Sequence, residues 1–193
     1  MVVCKDCDME AAVAGAVRRS FRNMGQICIA INRIYVDEAV YEEFLERFRE
    51  AAEKLTIGNG LTKECDLGPM CTRSGVEKAI EHIEDAVKKG AKVVCGGKRP
   101  EGEEYRKGYF FEPTILRDVN HSMLVMTEET FGPVVGVMPF KDIDEAIALA
   151  NDSDYGLAAI VYTNSLSLAE RLAREIDAGN VAINNVDAGV INA

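Results

Sequence analysis

The sequence alternates between segments of helical periodicity and short apolar segments typical of strands. Apolar side chains recur every three or four residues over 8–22 and 74–88, which predicts helices with one buried face. Short runs rich in branched or aromatic residues lie between such helices, for example 134–140 and 157–162, and these predict strands. Because strands joined through helices commonly pair in parallel, the alternation predicts an α/β fold with a mainly parallel sheet flanked by helices.

Capping and turn residues suggest where single elements begin. A strand is expected over 29–36, and Asp37 is expected to start a long amphipathic helix. Ser74 and Glu77 have the spacing of a capping box at the start of another helix. The sequence shows no internal repeat and no low-complexity linker, so a single domain over the whole chain is the simplest organisation.

The charge composition limits the classes of partner. Lys and Arg number 22 and Asp and Glu number 32, which gives a formal net charge of −10. Nucleic-acid-binding domains usually carry a basic face, and anionic membranes repel acidic proteins. No apolar run approaches the roughly 20 residues of a membrane-spanning helix, and acids among the first ten residues do not fit a secretory leader. We therefore expect a cytoplasmic protein that binds neither nucleic acid nor membrane.

The cysteines do not have the pattern of a disulfide scaffold or of a complete zinc site. Six cysteines among 193 residues are too few for a disulfide-rich fold. Cys4 and Cys7 have the C-x-x-C spacing of zinc and redox sites, but Cys65 and Cys71 are too far apart to supply the usual second pair. We expect no metal site. A thiol or zinc protein built on Cys4 and Cys7 is one alternative function.

The most unusual stretch is 21–28, with the sequence F-R-N-M-G-Q-I-C. A predicted helix ends there in polar residues and Gly25, and Cys28 follows at the start of an apolar strand. Loops at strand ends often carry the chemistry of α/β proteins, and the nearby Arg22 would favour a thiolate. From the residues alone, Cys28 is either a nucleophile or a buried structural cysteine.

Several motifs together resemble the NAD(P)-dependent aldehyde dehydrogenase superfamily. The stretch 21–28 resembles the catalytic-cysteine signature of that family, F-x-N-x-G-Q-x-C. Further segments follow in the family's order: a G-P turn at 67–69, E-E-T-F-G-P-V at 128–134, A-N-D-S-D-Y-G-L-A-A at 150–159 and A-G-N-V-A-I-N at 178–184. The resemblance covers essentially the whole chain, and the cysteine and E-E-x-F-G-P motifs are very specific.

The resemblance implies a domain and a cofactor. Residues 1–193 would form the cysteine-bearing catalytic domain, cut at both ends, with the dinucleotide-binding domain and the general-base glutamate outside the chain. The sequence contains neither G-x-G-x-x-G nor G-x-x-x-x-G-K-[ST], which agrees with that division. The complete enzyme would use NAD or NADP, act on a small aldehyde and form a homodimer or homotetramer. The fragment alone is expected to have little or no activity.

The resemblance also implies roles for single residues. Cys28 would attack the aldehyde carbonyl, and the resulting thioester would be hydrolysed to the acid. The backbone N–H of Cys28 would stabilise the oxyanion, and Asn23 would organise the catalytic loop. Glu129 would hydrogen-bond the nicotinamide ribose, and Phe131 would pack near the ribose and nicotinamide.

Arg22 bears on the choice of aldehyde. Succinate-semialdehyde dehydrogenases have an arginine six residues before the cysteine that binds the substrate carboxylate, and a guanidinium suits a carboxylate through paired hydrogen bonds. Ala30 and Gly189 depart from that subfamily, which has a second cysteine and a carboxylate-binding serine at the matching positions. We expect Arg22 to bind a substrate carboxylate; the alternative is a structural salt bridge.

A cysteine hydrolase with a Cys–His pair is the remaining enzymatic alternative. Such a pair requires a histidine beside the nucleophile. The chain has two, His82 in a predicted helix among charged residues and His121 in a polar turn. Both contexts are typical of surface positions, so we expect neither histidine to be buried.

Overall fold

The computed structural model describes residues 1–186, so Gly189 lies outside the described residues. The strands are β1 Val2–Val3, β2 Arg33–Asp37, β3 Lys92–Cys95, β4 Thr114–Arg117, β5 Val134–Phe140, β6 Ala159–Tyr162 and β7 Val181–Ile183. The helices are α1 Met9–Phe21, α2 Tyr41–Glu53, α3 Arg73–Lys88, α4 Leu124–Thr127, α5 Ile143–Asn151 and α6 Leu166–Glu175.

The strands form one sheet in the order β3-β4-β5-β2-β1-β6-β7. Neighbours pair in parallel from β4 to β7, whereas the edge pair β3 and β4 is antiparallel. Helices flank this sheet, with α5 contacting β2 and β5 and α6 contacting β6 and β7. The α/β fold with a mainly parallel sheet is therefore confirmed.

The shortest strand, β1, lies in the interior of the sheet between β2 and β6. Val2 and Val3 of β1 pair with Tyr35 and Val36 of β2 on one side. On the other side they pair with residues 161–162 of β6. Both valines are almost fully buried, as expected for a strand covered on both faces.

Aromatic packing joins the first two helices. Phe21 of α1 stacks on Phe48 of α2 with ring centroids 5.7 Å apart, and Phe44 lies 5.6 Å from Phe48. All three rings are fully buried, and each contributes on the order of 1.5–3 kcal/mol by removal from water. This packing fixes the end of α1, from which the cysteine-bearing loop leaves.

Three predicted boundaries are wrong. Strand β2 begins at Arg33 rather than at 29, because the residues before it form an irregular loop. Helix α2 begins at Tyr41, since the Asp37 carboxylate instead accepts the N–H of Ala39 at 3.0 Å and shapes a turn. Helix α3 is capped by Thr72, whose hydroxyl accepts the N–H of Gly75 at 3.1 Å, so the cap lies two residues before the predicted box at Ser74.

Candidate active site

The loops that carry the motif residues meet at one edge of the sheet. Residues 22–32 precede β2, 128–133 precede β5, 152–158 precede β6 and 177–180 precede β7. Because these strands run in the same direction, their preceding loops share the edge formed by the amino ends of the strands. Open parallel sheets usually bind ligands at the carboxyl ends. The candidate site therefore lies at the amino ends of the strands, where open parallel sheets bind ligands less often.

The backbone before Cys28 passes through three consecutive left-handed residues. Asn23, Met24 and Gly25 have φ angles of 53°, 59° and 67°. Asn and Gly adopt this region readily, whereas a bulky Met costs on the order of 1–3 kcal/mol there. The Met24 side chain is buried in the core, and this packing holds the turn. The turn leaves Cys28 exposed, which contradicts the alternative of a buried structural cysteine.

Reciprocal hydrogen bonds close the cysteine loop, by which we mean residues 22–28. The Asn23 side-chain amide donates to the Gln26 carbonyl at 3.2 Å, and the Gln26 amide donates to the Asn23 carbonyl at 3.0 Å. The Gln26 Oε1 also accepts the backbone N–H of Cys71 at 2.8 Å. The Gln26 contact joins residues 45 positions apart, so spacing along the chain could not have shown it.

The cysteine loop lies against the 128–132 segment of the E-E-T-F-G-P motif. A Cβ built on Gly25 would stand only 2.2 Å from the Gly132 carbonyl oxygen. Only glycine therefore permits this approach of the two backbones, and the left-handed φ of Gly25 imposes the same requirement. Two motifs more than a hundred residues apart in the sequence thus meet through their main chains.

A cavity of about 290 Å³ connects the two motifs. Cys28 and Glu129 both line it, together with Tyr35, Tyr155 and the backbone around Gly156. A thiol and a carboxyl side chain from distant parts of the chain therefore line one concave space. Such a space is large enough for a small organic ligand.

Three predicted site residues lie outside the cavity lining. Arg22 is exposed at the end of α1, where its backbone N–H donates to the Arg18 carbonyl. Asn23 is exposed within the loop. Phe131 has a φ of 51° and an exposed fraction of 42%, both unusual for an aromatic residue.

One face of α3 holds the segment that leads into the E-E-T-F-G-P motif. His82 is 1% exposed, and its Nδ1 lies 2.9 Å from the buried hydroxyl of Thr130. Lys78 Nζ donates to the Glu129 carbonyl at 2.5 Å, and the Asp85 carboxylate accepts the N–H of Leu124 at 2.8 Å. The prediction of an exposed His82 is wrong, because charged neighbours on the helix hid a contact with a segment 48 residues away.

Comparison with known proteins identifies the family. The model of the aldehyde dehydrogenase family matches residues 1–193. The chain belongs to the aldehyde dehydrogenase family. The curated relatives include succinate-semialdehyde dehydrogenase [NADP(+)] GabD of Escherichia coli and glutarate-semialdehyde dehydrogenase of Pseudomonas aeruginosa. Each is 46% identical over 183 residues, which is 95% of this chain and 37% of the relative.

Solved structures of aldehyde dehydrogenases share the fold closely. Betaine aldehyde dehydrogenase from Staphylococcus aureus in complex with NAD⁺ has a TM-score of 0.92 at 36% identity, over 95% of this chain and 36% of that one. An E. coli NADP-dependent enzyme has a TM-score of 0.91 at 45% identity, over 96% of this chain and 38% of that one. The chain thus spans about 37% of the length of the curated relatives it matches.

His121 of this aldehyde dehydrogenase chain binds Tyr35 of the cavity wall and is not paired with Cys28. Its Nε2 lies 2.9 Å from the Tyr35 hydroxyl, and its Nδ1 lies 2.5 Å from the Asp152 carboxylate. The His121 side chain is 15% exposed and thus partly accessible, so the expectation that His121 is not buried agrees with the structure. These partners occupy both ring nitrogens, which leaves no geometric support for a Cys28–His121 pair.

The C-x-x-C cysteines of this family member do not have the character of reactive or metal-binding thiols. Burial, with the charge of Asp6 second, raises the pKa of Cys4 to about 12 and the pKa of Cys7 to about 11. A raised pKa disfavours the thiolate that zinc and disulfide chemistry require. Within residues 1–186, no group of three or more His, Cys, Asp or Glu side chains could hold a metal ion.

Among residues 1–186, no helix combines the length and apolar character that crossing a bilayer would require.

Proposed function

We propose that this chain is the nucleophile-bearing catalytic part of an NAD(P)-dependent aldehyde dehydrogenase that converts a small aldehyde to its carboxylic acid. One observation carries the proposal: exposed Cys28 and Glu129 line the same cavity, and their segments touch at Gly25 and Gly132. The relatives are named as dehydrogenases of semialdehydes and other aldehydes, which supports the same reaction class.

Cys28 supplies the covalent chemistry. Its thiolate sulfur forms a bond to the aldehyde carbonyl carbon, and the carbonyl oxygen becomes an oxyanion that the backbone N–H of Cys28 stabilises. Asn23 maintains the turn that presents this N–H and the thiol together. After oxidation of the carbon, the thioester on Cys28 takes up water, the C–S bond breaks, and the acid and the thiolate are released.

Glu129 and Phe131 suit a nucleotide at the rim of the cavity. Glu129 lines the cavity and offers an acceptor for ribose hydroxyls, and Phe131, two residues further on, exposes an aromatic face outside the cavity lining. A nicotinamide cofactor, when bound, supplies the acceptor for the hydride that leaves the aldehyde carbon. The dinucleotide-binding domain is a further part of the proposed enzyme and lies outside residues 1–193, so the chain alone reduces little or no NAD(P).

The substrate class proposed is an aldehyde with an anionic group at its far end, such as succinate semialdehyde. The names of three relatives specify such substrates: succinate semialdehyde, glutarate semialdehyde and 3-sulfolactaldehyde. Arg22, at the exposed start of the cysteine loop, is the residue proposed to bind the anion through paired hydrogen bonds.

The test is aldehyde-dependent reduction of NAD and NADP by a GabD chimera, in which this chain replaces the matched segment of the E. coli enzyme. The chain alone, the chimera and the chimera with Cys28→Ser are compared. We expect activity in the chimera only. Cys71→Ser, which alters another exposed thiol, is the matched control and retains activity. A folded, soluble chimera that reduces neither cofactor with any aldehyde contradicts the proposal.

Arg22→Ala in the chimera tests the substrate class. Loss of a charge-assisted contact raises KM for succinate semialdehyde on the order of tenfold or more, while KM for propanal changes little. Arg106→Ala, which removes a guanidinium paired with Glu103 on an exposed turn, is the control. Equal effects of Arg22→Ala on both aldehydes contradict anion binding by this arginine.

A further inference from the structure

A polar stripe on α3 runs along the segment that carries the proposed ribose-binding residues. The stripe consists of Lys78, His82, Asp85 and Lys89, which are spaced three or four residues apart and therefore share one helix face. Their partners all lie within 122–130: Lys89 binds the Ser122 carbonyl, and the other three bind residues 124–130. The helix thus holds this segment at four points rather than at one.

The two contacts nearest the cavity differ from ordinary surface pairs. His82 and Thr130 are both about 1% exposed, so their hydrogen bond of 2.9 Å is made away from water. Lys78 binds the carbonyl oxygen of Glu129, which fixes the backbone of that residue. Together they hold the carbonyl of Glu129 and the side chain of the next residue.

The buried imidazole favours its neutral form. Burial, with the charge of Lys78 second, lowers the pKa of His82. The carboxylates of Glu81, Asp85 and Glu128 oppose that effect, the last with an oxygen 3.8 Å from Nε2. A neutral ring with one N–H can serve the Thr130 hydroxyl as donor or acceptor, so the contact does not depend on an ion pair.

We propose that His82 is a positioning residue, which together with Lys78 fixes the 128–132 segment so that Glu129 and Phe131 are presented to the nicotinamide ribose. This inference rests on the proposed function, because it assumes that these two side chains meet a cofactor. No atom of His82 touches the reacting groups; the residue acts through Thr130.

The hydrogen bond between His82 and Thr130 is also linked to the cysteine loop through the main chain. Thr130 is two residues before Gly132, whose carbonyl oxygen lies where a Cβ of Gly25 would clash. A shift of the 128–132 segment therefore moves the surface on which the turn at Asn23–Gly25 rests. His82 is thus linked through Thr130 to both parts of the site. One part is the segment with Glu129 and Phe131, and the other is the cysteine loop, which is reached through Gly132.

The experiment compares His82→Leu, His82→Gln and Thr130→Val in the GabD chimera and in the 193-residue chain. Leu fills the buried space but offers no hydrogen bond, whereas Gln retains one. We expect His82→Leu and Thr130→Val each to raise KM for NAD(P) about tenfold, the effect of losing one buried hydrogen bond, with kcat and the aldehyde KM changed much less. Glu84→Gln, an exposed change on the same helix, alters neither KM.

Two further readouts separate positioning from simple loss of folded protein. The double variant His82→Leu/Thr130→Val is expected to be no worse than either single variant, because both remove the same bond. His82→Gln is expected to recover most of the cofactor affinity. In the chain itself, His82→Leu should accelerate amide hydrogen exchange over 124–134 and over the cysteine loop, while exchange in β6 stays unchanged.

The outcomes distinguish the inference from the function on which it rests. If the wild-type chimera is folded and reduces neither cofactor, the proposed function fails, whatever the exchange data show. If the wild-type chimera is active and His82→Leu lowers only kcat, or leaves KM for NAD(P) unchanged, the positioning role of His82 is refuted. Additive effects of His82→Leu and Thr130→Val also overturn it.

Discussion

At the scale of single residues, the turn before Cys28 requires a glycine at position 25, because a side chain would not fit there. Gly25 has a φ of 67° and approaches the Gly132 carbonyl more closely than any Cβ could tolerate. Gly25→Ala should therefore lower the free energy of unfolding by roughly 1–3 kcal/mol and abolish activity of the chimera. Urea denaturation of the chain measures the first effect.

Gly68→Ala is the matched control for that substitution. A Cβ at Gly68 meets no atom within 4 Å. The control should change the free energy of unfolding by less than about 0.5 kcal/mol. Equal stability of the two variants would show that the turn tolerates a side chain and that the left-handed geometry is not required.

The cysteines should differ in their reactivity toward iodoacetamide at pH 8. Cys28 and Cys71 are exposed, whereas burial raises the pKa of Cys95 and of Cys7 to about 11. At a pH well below its pKa, a thiol stays protonated and reacts slowly. Peptide mass spectrometry should find the exposed pair labelled first and the buried thiols labelled only after unfolding. Early labelling of Cys7 would instead support a thiol function for the C-x-x-C pair.

At the scale of elements, the N-cap of α3 lies two residues before the position that the local sequence pattern predicts. The Thr72 hydroxyl accepts the N–H of Gly75, and Ser74 lies within the first turn. Thr72→Ala should cost about 1 kcal/mol of stability, the usual value of an N-cap, and Ser74→Ala much less. Thermal unfolding of the two variants makes the comparison. A larger loss from Ser74→Ala would restore the capping box predicted from sequence.

Elements with strong local signals were predictable. Strand β5 occupies the predicted 134–140, and Asp142 and Ser165 cap the following helices through their own side chains. The failure at 29–32 has a physical cause. Ile29 and Ile31 are branched and alternate as in a strand, but all four residues line the cavity and none belongs to a strand of the sheet. Periodicity reports burial and cannot tell these two environments apart.

The residues of the site likewise fall into those that the sequence could predict and those that it could not. Cys28 and Glu129 could be found from motifs, because each lies in a short contiguous signature. His82 and Gln26 could not, because their partners Thr130 and Cys71 are separated from them by 48 and 45 residues. A polar residue on a helix looks solvated in the sequence whenever the group that covers it comes from elsewhere in the chain.

At the scale of the whole molecule, the apolar surface around the cavity predicts weak self-association of the 193-residue chain. Tyr155 and Leu157 are 55% and 57% exposed beside the cavity, and Leu166 is 85% exposed. Clustered exposed apolar side chains favour contact between proteins. Sedimentation velocity should show a weight-average mass that rises with concentration and falls in the Tyr155→Ser/Leu157→Ser variant. A constant monomer mass over the full concentration range would contradict the prediction.

The position of the two-residue strand β1 in the interior of the sheet has a consequence for synthesis on the ribosome. Val2 and Val3 leave the exit tunnel long before residues 159–162, yet they form the bridge between β2 and β6. The nascent chain must keep this apolar pair unpaired on one side until residues 159–162 have been made. Closing so long a loop is slow, and an open strand edge invites chaperones or aggregation in the meantime. Slower translation before residue 159 would lengthen that vulnerable interval.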